Sequence, residues 1–293
     1  MTDHFGYQGR VSVVTGAASG MGRALAEILV DLGASVYAID RVESPVEGIT
    51  QAIVADLGDK NSIDAAFAEL PEEIHSFFGV AGISGVHQSY LDTFTVNFIA
   101  NKYITDTYLR DRVVQGGSLT FVTSNGGLRW ENTDIREELQ PLIEPSGWDG
   151  LVSAASAFND RFGGAVPGSL GYILSKRALN YWIATEVGPL ADLKKIRINA
   201  ILPAMTISGM IGEFAEMKGG MDAVEADLGP AGRLAESVDM ARVLAFLGSD
   251  LAGYVSGAHL CVDFGMNAQQ LAGLAPDRLS WTLAGVMSRT SAS

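Results

Sequence analysis

Tyr172 and Lys176 stand four residues apart in the run Gly171-Tyr172-Ile173-Leu174-Ser175-Lys176. In a helix, residues at i and i+4 project from one face, one turn apart. A fixed ammonium favours the ionised form of a neighbouring phenol and draws its pKa down from about 10. A tyrosine tuned in this way passes a proton to or from a reacting oxygen near neutral pH. Taken alone, the spacing describes an ordinary exposed helix face equally well. The other residues suited to chemistry lie upstream: the glycine-rich run Gly16 to Gly22, the carboxylates Asp40 and Asp56, and the polar residues Asn97 and Ser124. His4, His75, His87 and His259 are scattered without His-x-x-x-His or Cys/His spacing, so no metal site is expected.

The elements that must position these residues follow from the pattern. Val11–Thr15 is a β-branched run that flows into Gly16-Ala-Ala-Ser-Gly20-Met-Gly22, after which Met21, Leu25, Ile28, Leu29 and Leu32 recur at helical spacing up to Gly33. This is a strand, a glycine-rich turn and a helix. Glycines let the backbone approach a pyrophosphate, and the helix N-terminus meets its charge. Ser35–Ile39 ends at Asp40, 18 residues beyond Gly22, where a carboxylate accepts hydrogen bonds from both ribose hydroxyls of an adenosine. A dinucleotide site is the consequence. Asp40 repels a 2′-phosphate and the glycine turn holds no basic residue, so NAD is favoured over NADP. Arg41 pulls the other way, unless it stacks on the adenine or is simply solvated.

Ile53-Val-Ala-Asp56-Leu57 reads as a third strand, with Asp56 just past its end, placed to cap an adenine amino group. A short helix (Ile63–Leu70) and a buried strand (His75–Val80) follow, the strand ending in Ala81-Gly82, small enough to approach a ribose. A long helix runs from about Tyr90 to Arg112 with Asn97, an ordinary tolerated polar residue by position, in its middle. Leu119–Thr123 is the fifth strand, with Ser124 at its carboxyl end. Ligands of open parallel sheets bind beyond the carboxyl ends of the strands, and Gly16, Asp40, Asp56, Gly82 and Ser124 all fall on that edge. No repeat or low-complexity segment interrupts the alternation, so one domain over 1–293 is the economical reading.

Composition narrows the class. Of the 293 residues, 47% are apolar and 18% charged, enough to build a sizeable core and against disorder. A net charge of −14 disfavours nucleic acid and anionic membranes. The lone Cys261 forms no internal disulfide, suits a reducing compartment and reads as a packed thiol. The polar stretch Met1 to Arg10 lacks a signal-peptide layout, and no apolar run is long enough to span a membrane. A cytoplasmic protein is expected.

With Gly16–Gly22, Asp40, Asp56-Leu57, Ala81-Gly82, Asn97, Ser124, Tyr172 and Lys176 in this order, the sequence resembles a classical short-chain dehydrogenase/reductase over about residues 10–265. The resemblance implies a Rossmann-like, doubly wound α/β fold with a seven-stranded parallel sheet and helices on both faces. It implies dinucleotide contacts from Gly16, Ser19, Gly20, Met21, Gly22, Asp40, Arg41, Asp56, Leu57, Ala81 and Gly82. Tyr172 and Lys176 are implied to contact the dinucleotide as well, and Arg197-Ile-Asn-Ala-Ile-Leu-Pro203 resembles the sixth strand, with Pro203, Thr206 and Ser208 near the nicotinamide. The catalytic set it implies is Asn97, Ser124, Tyr172 and Lys176. Three patterns depart from the family: Gly79-Val80-Ala81-Gly82 replaces Asn-Asn-Ala-Gly, Pro203-Ala204 replaces Pro-Gly, and Ser124 precedes Tyr172 by 48 residues where about a dozen are usual.

The excess is an insertion of about residues 128–169, with Trp130, Trp148 and three prolines. It is either a functional loop with its own helices or a surface excursion. The insertion, with Val-Ala-Gly and Val-Asn-Phe, is similar to the bacterial 3α-hydroxysteroid dehydrogenase/carbonyl reductase subgroup. There the inserted helices cover the helices of the common tetramer interface, which implies a different arrangement of the homo-oligomer here, a dimer or a tetramer. Residues 207–220 resemble the flap that covers the substrate, and the nearby methionines Met205, Met210, Met217 and Met221 are either core filler or an adaptable lid. Met240–Leu247 is a further amphipathic helix and His259–Val262 the last strand. The extension of about 266–293 packs over the site, docks on a partner subunit or frays, docking being favoured by its apolar content.

The expected function is NAD(H)-dependent interconversion of a secondary alcohol and a ketone, on a bulky apolar cyclic substrate such as a hydroxysteroid or terpenoid. In it Tyr172 is the acid/base, Lys176 holds the nicotinamide ribose and lowers the tyrosine pKa, Ser124 positions the substrate oxygen and Asn97 anchors a relay water. The alternatives are a carbonyl reductase for small ketones and, in another class, a non-catalytic dinucleotide sensor, which has no need of proton-handling residues.

Overall fold

The computed structural model describes residues 4–226 and 228–290. Residues 1–3 of the polar N-terminal stretch and 291–293 of the C-terminal extension lie outside the described residues. Seven parallel strands form one sheet in the order β3-β2-β1-β4-β5-β6-β9. They are β1 (Val11–Thr15), β2 (Ser35–Asp40), β3 (Gln51–Val54), β4 (Ile74–Gly79), β5 (Val113–Val122), β6 (Arg197–Pro203) and β9 (His259–Val262). β7 (Thr206–Ile207) and β8 (Ala235–Glu236) make a separate small pair. Central strands such as Val13-Val14 and Phe77-Phe78 are fully buried because helices cover both faces, the condition under which parallel strands become continuously apolar. On one face Leu25 and Leu29 of the helix Gly20–Asp31 join Leu244 of the helix Ser237–Gly248. On the other, Phe98, Trp182 and Ile183 pack with Phe77 and Phe121.

The order of elements matches the alternation read from the sequence. Boundaries moved where local chemistry ruled. β3 stops at Val54, and the short helix runs Lys60–Ala68 because Asp59 caps it, its side chain accepting from the Asn61 N–H at 3.0 Å. β5 begins at Val113, six residues before the apolar run that marks it in the sequence. The stretch 90–112 is continuous, but two π-helical turns, Thr95–Ile99 and Thr105–Leu109, interrupt its α-helical winding. Propensity carries no signal for such turns, which collect at functional sites.

The insertion is not a surface excursion. It folds into two helices, Thr133–Ile143 and Trp148–Asp160, whose Leu139, Leu142, Leu151 and Ala155 are buried in the main core. Trp148 stands edge-on to Tyr103 (ring centroids 5.5 Å apart), and Phe158 stacks on Tyr90. The insertion therefore covers outer faces of the stretch 90–112 and, through the Tyr181 hydroxyl donating to Gln140, of the helix Gly168–Lys194. The flap is a helix, Ile211–Lys218, followed by a shorter one, Met221–Glu225. The C-terminal extension forms helices Met266–Leu271 and Leu283–Thr290 and lies against its own chain: Leu283 is fully buried, and the Leu283 and Ala284 N–H groups donate to Glu138 of the insertion at 2.8 and 2.9 Å.

Candidate active site

The strand order reverses between β1 and β4, and a cleft of about 1100 Å³ opens beyond the carboxyl ends there. β1 delivers Thr15 into the glycine turn. The Thr15 hydroxyl accepts from the Val80 and Ala81 N–H groups at 3.1 and 3.3 Å, tying the turn to the end of β4. Gly22 packs so closely on the start of the turn that a Cβ there would lie 2.1 Å from the Gly16 carbonyl oxygen. The next helix starts at Gly20 with Ser19 as N-cap, and the Ser19 side chain makes no cap hydrogen bond. The N-terminal amides of that helix thus face the cleft with the geometry that receives a pyrophosphate. Asp40 ends β2, its carboxylate accepting from the Ala18 and Arg41 N–H groups at 2.9 and 2.6 Å. Gly16, Ser19, Gly20, Met21 and Gly22 line the cleft. So do Asp40, Arg41, Asp56 and Leu57. Ala81, Gly82, Pro203, Thr206 and Ser208 complete this side of it. A glycine cradle, free helix amides and a carboxylate at the second strand fit a nicotinamide dinucleotide.

The gap of 48 residues between Ser124 and Tyr172 closes in space. After β5 the chain makes a tight turn, Asn125–Gly127, in which the Ser124 hydroxyl accepts from the Gly126 N–H at 3.0 Å. Gly127 lies on the Tyr–Lys helix, where a Cβ would be 2.6 Å from the Asn180 amide and 3.0 Å from the Lys176 carbonyl oxygen. The Asn180 amide donates to the Gly127 carbonyl at 3.0 Å. This contact places Ser124 in hydrogen bond with the Tyr172 side chain. Lys176 is one turn on, its ammonium donating to the Val122 carbonyl at 2.9 Å and standing 5.6 Å from the Tyr172 ring centroid.

Electrostatics here differ from the sequence expectation. Tyr172 is not acidified: burial pushes its pKa up to about 12, against a smaller lowering by the Ser124 hydrogen bond. Burial also brings Lys176 down to about 8. Desolvation opposes both charged forms, and the ammonium lies over the ring with a backbone carbonyl as its partner. The protein alone holds the phenol protonated.

Asn97 is the one expected site residue that does not line the cleft. Fully buried in the first π-helical turn, it accepts from the Ile83 N–H at 2.9 Å and donates to the Ile83 carbonyl at 2.9 Å and to Ser175 at 3.2 Å. It pins the Gly82-Ile83 backbone beside the Lys176 ammonium, and its own carbonyl accepts from Asn101 at 3.0 Å. Three contributors escaped the sequence reading. Thr15 was visible there, as the first residue of the Thr-Gly turn. Phe214 of the flap, edge-on to Tyr172 at 5.4 Å, and Trp148 of the insertion carry no such signal, because only tertiary packing brings them to the cleft. Among the described residues no group of three His, Cys, Asp or Glu could hold a metal ion, and no helix is long and apolar enough to cross a membrane.

A family model described as short chain dehydrogenase matches residues 10–133, and one described as Enoyl-(Acyl carrier protein) reductase matches residues 149–267. The chain is similar to versicolorin reductase 1 of Aspergillus parasiticus, 30% identical over 287 residues, with 90% of this chain and 99% of that one covered. It is 29% identical over 258 residues to coniferyl-alcohol dehydrogenase of a Pseudomonas species, covering 87% and 95% of the two chains. Among solved structures, the 3-alpha-hydroxysteroid dehydrogenase of Pseudomonas sp. B-0831, solved with NADH, superposes with a TM-score of 0.74 at 23% identity, covering 89% and 98%.

Proposed function

The chain belongs to the short-chain dehydrogenase/reductase family of oxidoreductases, and from that premise we propose that it interconverts a bulky, apolar cyclic secondary alcohol and its ketone with NAD(H). The observation that carries this reading is the hydrogen-bonded Ser124–Tyr172 pair at the inner end of a cleft whose substrate side is lined by Ile173, Met205, Phe214 and Leu279. The bound dinucleotide supplies the hydride acceptor or donor. Tyr172 delivers or withdraws the proton at the reacting oxygen, and its high pKa in the free protein suits delivery, as in ketone reduction. Ser124 orients that oxygen by hydrogen bond. Lys176 is placed to hold the nicotinamide ribose, and Asn97 keeps the 82–83 backbone against it.

Asp40 supports NAD over NADP, because a 2′-phosphate would stand beside its carboxylate. The experiment is a screen of cyclic alcohols with NAD and NADP in parallel, repeated on Asp40→Ser. Turnover with NAD, and a shift of the NADP/NAD ratio in the variant by tenfold or more (about 1.4 kcal/mol), is expected. Turnover of no alcohol with either dinucleotide would remove the proposal, and a ratio unmoved by the substitution would remove the role of Asp40. Two peripheral readings go with it. The covered helices 90–112 and 168–194 support a homodimer formed elsewhere on the surface, and the single cysteine suits the cytoplasm.

A further inference from the structure

Beyond Gly265 the chain returns across the substrate end of the cleft, and buried charges from other elements hold it there. Arg177 follows Lys176 directly, is fully buried and points away from the cleft. Its guanidinium donates to the main-chain carbonyls of Trp281, at 2.8 Å, and Leu279, and stacks on the Trp281 ring at 4.3 Å. Arg129, at the start of the insertion, is 5% exposed and held at a φ of 66°, a conformation that a non-glycine residue keeps only when its surroundings fix it. It donates to Asp277 at 2.7 Å, Asn267 at 2.9 Å and Gln270 at 3.4 Å. Glu138 fixes the far end through the N–H groups of Leu283 and Ala284. Between these anchors, Met266, Asn267, Gln270 and Leu279 face the same cleft as Tyr172 and Ser124.

Burying two guanidinium groups is costly unless their donors are satisfied; here oxygens of the extension accept from both terminal nitrogens of Arg177 and from Arg129, while Arg177 Nε is left without a partner among the described residues. Arg177 holds the segment to the Tyr–Lys helix through the Trp281 and Leu279 carbonyls and the Trp281 ring.

We infer that residues 266–282 are a strap forming the substrate-side wall of the cleft and setting the size of alcohol it admits, with Arg177 and Arg129 as positioning residues that hold the wall. This rests on the reading of the cleft as an alcohol/ketone site. The strap acts on the bulk of the substrate remote from the carbinol, through Leu279 and Met266, and takes no part in proton transfer.

The test is steady-state kinetics on the full chain with cyclohexanol and with a four-ring steroid alcohol. Leu279→Trp keeps the main-chain anchors and fills the wall: the steroid-to-cyclohexanol ratio of kcat/KM is expected to fall by about tenfold or more. Arg177→Met frees the strap: KM for the steroid should rise by about tenfold while kcat for cyclohexanol stays within about threefold, and Arg177→Lys, which keeps a charge but loses the fork, should recover only part of the loss. If Arg177→Met does not fold, Leu279→Trp decides alone. Wild-type turnover with an unchanged steroid-to-cyclohexanol ratio in Leu279→Trp overturns the wall and leaves the alcohol/ketone reading standing. Absence of wild-type turnover on any alcohol overturns the underlying reading and the wall with it.

Discussion

Replacing Tyr172 with Phe separates chemistry from folding at one oxygen. The ring stays: its edge contact with Phe214 at 5.4 Å and the Lys176 ammonium at 5.6 Å involve carbon atoms that phenylalanine keeps. Only the hydroxyl goes, and with it one hydrogen bond to Ser124, whose oxygen still accepts from the Gly126 N–H at 3.0 Å. No buried group is left without a partner, so the stability lost is about 1 kcal/mol, a small shift in a urea midpoint. Turnover behaves otherwise. A positioned acid or base contributes about 10²–10⁴-fold, or about 3–5 kcal/mol of barrier. Dinucleotide affinity should stay within about threefold, because one neutral hydroxyl is a minor share of so large a ligand's contacts. With the phenol held at about 12, a neutral solution finds it protonated, so wild-type alcohol oxidation should climb with pH toward the alkaline range while the variant's residual rate stays flat. The assay is the absorbance of reduced nicotinamide across pH, with fluorescence titration for binding. A Tyr172→Phe enzyme retaining more than about a tenth of wild-type turnover refutes the assignment of Tyr172 as the proton donor.

Gly22→Ala puts a methyl 2.1 Å from the Gly16 carbonyl oxygen, so the turn must open; a loss of about 1–3 kcal/mol in stability and of dinucleotide binding is expected by denaturation and titration. His259 is half-buried with its ring nitrogens 3.2 and 2.8 Å from the carbonyls of Gly257 and Asn180, and desolvation holds its pKa below 6.5. As pH falls below that value the unfolded chain binds the proton first, so its contribution is intact above about 6.5 and declines in acid. Urea midpoints between neutral and mildly acidic pH should therefore fall less in His259→Asn than in the wild type, and parallel losses would show that the ring is not responsible.

The sheet and the glycine-rich turn were legible because each rests on a local pattern. Val11–Thr15 is β-branched, the glycines follow at once, and Asp40 ends the next apolar run; each piece needs only its neighbours to be recognised. The tyrosine pKa was misjudged for a related reason. The sequence shows an ammonium one turn away, but not that both groups lose their water, nor that the ammonium is occupied by the Val122 carbonyl. Asn97 looked like a polar residue tolerated in a helix, whereas the π-helical turn buries it and sets both ends of its amide on Ile83. The insertion was visible as excess length, yet its helices are identifiable as part of the core only through contacts such as Trp148 on Tyr103.

Arg177 shows where sequence reading must stop. Next to Lys176 it reads as a second surface cation, and nothing local says that it is among the most deeply buried side chains in the protein. Consecutive helix positions point about 100° apart, so one element sends Lys176 toward the cleft and Arg177 toward the strap. Twenty-seven residues long and packed along its length, the helix Gly168–Lys194 fixes the proposed proton-handling pair and the anchor of the proposed wall in a single frame. A change that tilts this helix should therefore disturb chemistry and substrate size together, whereas a change confined to the strap should disturb size alone.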